Sequence, residues 1–114
     1  MHVRGLVFAG IETPDPRALA AFLADVLGVE ATEDEDVFSF RLDGGDGLAV
    51  VEPGHLAPPS DTVLGFLVDD LEAAVAELEA KGVPKDGSLL SGPVFRWQHF
   101  RAPDGRAFEL VERR

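Results

Sequence analysis

The sequence predicts an α+β fold of two tandem βαβββ modules, forming a curved mixed sheet around a shared cleft with the helices on the outer face. Three observations lead there. First, the order strand, helix, strand, strand occurs twice along the chain. Second, Gly10 and Asp15 recur 55 positions later as Gly65 and Asp70, and Asp46-Gly47 recurs 58 positions later as Asp104-Gly105. Third, a module of half of these 114 residues is too small to bury both sides of its own sheet, so the two must pair. The chain therefore reads as a single domain over 1–114, with module one at about 1–53, a linker at 54–60 and module two at about 61–114.

The elements follow in order. Leu6-Val7-Phe8-Ala9-Gly10-Ile11 is an apolar strand, and Thr13-Pro14-Asp15-Pro16 then supplies capping residues and a proline suited to a first helical turn. Leu19, Phe22, Leu23, Val26 and Leu27 fall at helical spacing as one apolar stripe, and Gly28 stops the helix. Glu33-Asp34-Glu35-Asp36 reads as a solvated loop before the strand Val37 to Leu42. The turn Asp43-Gly44-Gly45-Asp46-Gly47 leads into the strand Leu48 to Val51, and a Pro-rich linker follows. In module two, Thr62 to Val68 is a strand and Asp69-Asp70 are caps. Leu71, Ala74, Val75 and Leu78 have helical spacing up to Lys81-Gly82, and a further short strand is expected near Leu89-Leu90. The strands Phe95 to Arg101 and Ala107 to Val111 flank the turn Ala102-Pro103-Asp104-Gly105.

Composition narrows the function classes. The chain is 46% hydrophobic and 27% charged, which suits a globular core. Ten Lys and Arg against 21 Asp and Glu give a net charge of −11, a surface that repels nucleic-acid backbones and anionic lipids. With no cysteine, disulfides, zinc thiolates, iron–sulfur clusters and thiol nucleophiles are excluded. No apolar run is long enough to span a bilayer and none resembles a signal segment, so a cytoplasmic protein is expected, with no nucleic-acid or membrane partner.

Turn chemistry sets a register. Pro103 at the second turn position and a left-handed Gly105 make a three-residue hairpin loop that pairs Ala102 with Arg106. Counting outward, Phe100 faces Phe108 on the helix side, and His99 faces Glu109 on the cleft side with Trp97, Ala107 and Val111. The offset of 58 then carries Ser39 and Arg41 to the Trp97 and His99 positions and Val51 to the Glu109 position, with Phe38, Phe40 and Leu42 toward the helix.

Several segments carry a family resemblance: Phe22-Leu23-Ala24-Asp25-Val26-Leu27-Gly28 after Asp15, Val68-Asp69-Asp70-Leu71, and above all His99-Phe100-Arg101-Ala102-Pro103-Asp104-Gly105-Arg106-Ala107-Phe108-Glu109-Leu110. They resemble the vicinal-oxygen-chelate superfamily, which includes glyoxalase I, extradiol dioxygenases, and the bleomycin and fosfomycin resistance proteins. The resemblance implies that metal-dependent members fill four inward positions mostly with His and Glu. Here those positions read Phe8, Val51 (or Ala49 if the register shifts by two), Val63 and Glu109. One carboxylate does not hold a transition metal specifically. At roughly 3.3 Å per residue His2 stands about 20 Å from that plane, and His55 is read as a solvated loop residue. His99 beside Glu109 makes two donors, one short of a catalytic zinc site.

The resulting expectation is a metal-free small-molecule binding protein, a homodimer without cofactor, whose ligand is a drug or metabolite. Phe8, Arg41, Val51, Val63, Trp97, His99 and Glu109 would line its cleft. Arg41 either neutralises Glu109 or binds an anionic group of the ligand, and Trp97 offers a flat stacking surface. The sequence leaves open an enzyme of lyase, isomerase or dioxygenase type, with Glu109 and His99 as catalytic residues with or without a divalent metal. It also leaves open an accessory subunit that uses the fold to dimerise.

Overall fold

A computed structural model describes residues 1–56 and 59–114, so the part of the expected linker at Ala57-Pro58 lies outside the described residues. The elements are β1 (Val3–Glu12), α1 (Pro16–Leu27), β2 (Ala31–Asp34), β3 (Val37–Arg41), β4 (Gly47–Val51), β5 (Thr62–Val68), α2 (Leu71–Ala80), β6 (Lys85–Ser91), β7 (Phe95–Arg101) and β8 (Ala107–Arg113). The eight strands form one mixed sheet in the order β2-β3-β4-β1-β5-β8-β7-β6. Among the described residues, no helix is long and apolar enough to cross a membrane.

Both helices start as their sequences dictate. The Asp15 carboxylate accepts from the Ala18 N–H and the Asp70 carboxylate from the Ala73 N–H, each at 3.0 Å. Gly28 closes α1 in the left-handed conformation, φ 67°. Asp69, expected as a second cap, instead meets Arg4 Nη1 at 3.0 Å, and that bond holds its carboxyl below the ordinary range.

Two apolar cores lie on the helix side of the sheet. Ala20 of α1 packs on Phe38, Phe40 and Val50, while Leu71 and Ala74 of α2 pack on Val68, Phe100 and Leu110. The predicted hairpin register is present: Phe100 pairs with Phe108, their rings stacked at 5.7 Å, and His99 pairs with Glu109.

Three expectations are corrected. The expected loop Glu33–Asp36 is half strand: β2 pairs with β3 through a tight turn in which Glu35 and Asp36 both take positive φ, 47° and 68°. The α1 stripe is only partly buried. Leu19 and Leu23 pack on the core, whereas Phe22, Val26 and Leu27 are exposed, because the short Ala20 and Ala24 turn the helix onto the sheet.

The third correction concerns the repeat itself. β1 and β5 run antiparallel with Ala9 opposite Leu64, two residues 55 apart, so a twofold relation between the modules passes through that pair. Along β3, β4, β7 and β8 the offset is 60 and not 58. Ser39 pairs with Ala49 as His99 pairs with Glu109, and Arg41 pairs with Gly47 as Arg101 pairs with Ala107. The two hairpin turns carry the same bonds: Gly45 N–H to Leu42 O and Gly105 N–H to Ala102 O, each 2.9 Å. The left-handed residues are Gly45 at φ 86° and Gly105 at φ 87°. Conformation aligns Gly45, not Gly47, with Gly105. Arg41 is therefore the counterpart of Arg101, Ser39 of His99, and Ala49 of Glu109, which replaces the expected Val51.

This register predicts a contrast between adjacent glycines. Gly45→Ala should cost about 1 kcal/mol or more, since its φ is positive and a Cβ would stand 3.1 Å from Arg113 Nη1. Gly44→Ala should stay within about 0.5 kcal/mol. Urea denaturation of both variants checks this, and equal losses would reject the alignment.

Candidate functional site

On the face opposite the helices the sheet curls around a cavity of about 440 Å³. Its floor is a lateral row of paired residues crossing six strands: Arg41 (β3), Gly47 (β4), Phe8 (β1), Gly65 (β5), Glu109 (β8) and His99 (β7). Residues directly paired across strands point to the same face, so the row puts a cation at one end and a carboxylate–imidazole pair at the other. The symmetry-related row reads Arg101, Ala107, Val63, Gly10, Ala49 and Ser39. Only the first row carries ionisable groups toward the cavity, where Val63, Gly10 and Ala49 add apolar wall.

The two glycines of the first row make its geometry possible. A Cβ on Gly47 would stand 3.1 Å from Phe8 Cδ1, so the ring occupies the space a side chain there would need. A Cβ on Gly65 would stand 2.9 Å from Glu109 Oε1 and from Val111 Cγ2, and 3.0 Å from Phe8 Cβ. Glu109 thus lies down on bare backbone and is only 4% exposed. Its Oε2 is 2.9 Å from His99 Nε2, and the His99 side chain is 24% exposed toward the cavity. A buried carboxylate needs such a partner, because removal from water costs it several kcal/mol. Next to it on β7, Trp97 is half-buried and packs its ring on Gly92.

Phe8, Arg41, Val51, Val63, Trp97, His99 and Glu109 all line the cavity. Ala107 and Ser39, assigned to the cleft face, do not: Ala107 is buried and its N–H donates to Ser60 Oγ at 2.5 Å. His2 sits outside, 3.7 Å from Asp69. His55 is a correction, since the exposed side chain expected to be merely solvated also borders the cavity, with Nδ1 3.1 Å from Glu52 O. Sequence reasoning also missed Leu56 and the Gly92–Val94 loop as parts of the rim, and it placed Leu90 and Phe95 on strands without assigning them to the cleft. Their only signal was the Pro-Gly punctuation around them.

Could these residues hold a metal? The four inward positions are Phe8, Ala49, Val63 and Glu109, three of them without a donor atom. The described residues hold no group of three or more His, Asp or Glu placed to bind an ion. One carboxylate and one imidazole fall short of the three protein ligands a catalytic zinc or a mononuclear iron centre takes, so the donor set does not fit.

The family model described as the Glyoxalase/Bleomycin resistance protein/Dioxygenase superfamily matches residues 5–110, and the chain belongs to that superfamily. No curated protein is similar enough to match. Among solved structures, the Mn(II)-bound glyoxalase from Novosphingobium aromaticivorans is 24% identical with a TM-score of 0.77, covering 96% of this chain and 39% of that one. The chain thus spans about two fifths of that glyoxalase's length. A superfamily member from Vibrio splendidus 12B01 is 19% identical with a TM-score of 0.68, covering 97% of this chain and 99% of that one. The methylmalonyl-CoA epimerase from Mycobacterium tuberculosis is 20% identical with a TM-score of 0.71, covering 96% and 88%. At these identities the likeness is one of fold.

The seat of Glu109 is testable through Gly65. Gly65→Ala should cost about 1–3 kcal/mol by overpacking against Glu109 and Val111. Gly5→Ala, on the same sheet but with nothing within 4 Å, should stay within about 0.5 kcal/mol. Thermal or chemical denaturation of the two variants gives the comparison.

Proposed function

We propose that this superfamily member is a small-molecule binding protein that uses the cleft without a metal of its own. The observation that carries the reading is the set of inward positions Phe8, Ala49 and Val63 around a single carboxylate, Glu109. What surrounds them is a concave apolar pocket with a few placed polar groups, the kind of surface that organic ligands bury themselves in. Trp97 supplies a flat wall, and the His99–Glu109 pair fixes orientation at one end. Capture of a drug or metabolite needs nothing more than this. Metal analysis of protein purified without added metal, followed by titration with Zn, Ni, Mn and Fe(II), tests the reading. Less than stoichiometric, weak binding is expected. Stoichiometric tight binding abolished by Glu109→Ala would overturn it.

A second reading is favoured by one observation. His99 Nε2 stands 2.9 Å from Glu109 Oε2 at the edge of a mostly apolar cavity. A carboxylate so placed can take a proton from a bound substrate while the imidazole holds its geometry, the chemistry of an isomerase or epimerase. Under this reading Glu109→Gln removes turnover and leaves ligand binding within about threefold, since the amide keeps the shape and loses the base. Isotope exchange from deuterated solvent into a bound candidate substrate is the readout. Exchange that survives in Glu109→Gln excludes Glu109 as the base.

A further inference from the structure

We propose that the cavity takes compact organic anions, an aromatic or branched apolar body carrying one carboxylate or comparable acidic group, with Arg41 as the anion anchor. The inference rests on the small-molecule reading above and names its ligand class. It starts from the accounting of basic side chains. With 21 acids to ten bases, a cation on this protein has carboxylates to choose from. Eight of the ten stand in ion pairs: Arg4, Arg17, Lys81, Lys85, Arg96, Arg101, Arg106 and Arg113. Arg114 donates to Ser91 Oγ and Gly92 O. The Arg41 side chain alone makes no ion pair or hydrogen bond with the described residues, and it lines the cavity.

The duplication provides an internal comparison. Arg101, the counterpart of Arg41, meets Asp86 at 2.7 Å and donates to Gly105 O at 2.9 Å. The same position in module one is left without such partners and turned toward the cleft. Arg41 does not neutralise Glu109 either, because the partner of that carboxylate is His99. Of the two roles open to Arg41 in the sequence, the anion of a ligand is the one left.

Placement sets the rest of the ligand. Arg41 and His99 end the same lateral row, five strand spacings apart, roughly 24 Å along the sheet contour before its curl brings the walls together. Between them lies Phe8, with the side-chain-free positions Gly47 and Gly65 on either side. A flat apolar body resting on Phe8 and reaching its acidic group to Arg41 uses the Arg41–Gly47–Phe8 end of the row and leaves the His99–Glu109 pair at the other end. The net charge of −11 disfavours anions in general, so binding of one in the cavity rests on this guanidinium.

Two fluorescent probes with one aromatic body, dansylglycine (a carboxylate) and dansylamide (neutral), test the proposal. Trp97 is the only tryptophan and lines the cavity, so energy transfer from it reports binding to the protein, and the Arg41 substitutions report whether the probe sits in the cavity. Dansylglycine is expected to bind about tenfold more tightly than dansylamide. Arg41→Met should abolish that preference, Arg41→Gln should do the same if the first variant folds poorly, and Arg17→Met, an equal change of net charge, should keep it. Saturable binding of dansylamide with no preference for dansylglycine, or a preference that survives both Arg41 substitutions, would overturn the anion assignment alone. No saturable energy transfer with either probe would overturn it together with the small-molecule reading.

Discussion

The antiparallel pairing of β1 with β5 is the contact on which the rest of the molecule depends. It joins the two modules, and its register, Ala9 opposite Leu64, sets Phe8 opposite Gly65 and Gly10 opposite Val63. Those two pairs are the middle of the cleft floor. A slip of β1 by one residue against β5 would turn Phe8 to the helix side and send Val7 inward. Because β4 runs parallel to β1 and β8 parallel to β5, each outer strand inherits its place from that junction, down to Glu109 beside Gly65 and Ala49 beside Gly10. The cleft is thus a property of one register, and the helices cover the opposite face.

The internal twofold relation sets two equivalent rows, and their side chains differ. One carries Phe8 between two glycines and then Glu109 and His99, while the other carries Val63, Ala49 and Ser39 at the matching places. A carboxylate packed on glycine backbone and held by an imidazole is costly to bury, yet only one such pair is present on the floor. Around it the wall is aliphatic and aromatic. The protein's other acids lie off the floor row, some of them in surface ion pairs such as Arg17 with Glu33 and Arg96 with Glu72 and Glu112, which tie helices and strands to one another.

What the sequence disclosed follows from how local each signal is. Helix caps at Asp15 and Asp70 and the Pro103-Asp104-Gly105 turn are short-range chemistry, and the turn alone suffices to place His99 across from Glu109. The first hairpin was ambiguous because residues 43–47 hold three glycines. Asp46-Gly47 imitates Asp104-Gly105 by letter, while Gly45 matches Gly105 by φ. That two-residue error moved the counterpart of Glu109 from Ala49 to Val51, although both face the cavity. Strand β2 was hidden by charge: an edge strand with both faces in water needs no apolar alternation, and a Glu35-Asp36 turn at positive φ carries none of the usual glycine or asparagine signal. The rim residues Leu56 and Val94 come from loops, whose course depends on tertiary packing and not on periodicity.

The central claim is that the floor row is an organic-ligand site anchored by side chains at its two ends and by no metal. A crystal structure of the protein purified without added metal and soaked with dansylglycine addresses it most directly. Density is expected to lie across Phe8, with the carboxylate at Arg41 and no ion on Glu109. Density for a metal coordinated by Glu109 and His99, or a probe seated elsewhere with the Phe8 and Trp97 rings closed over the row, would contradict it.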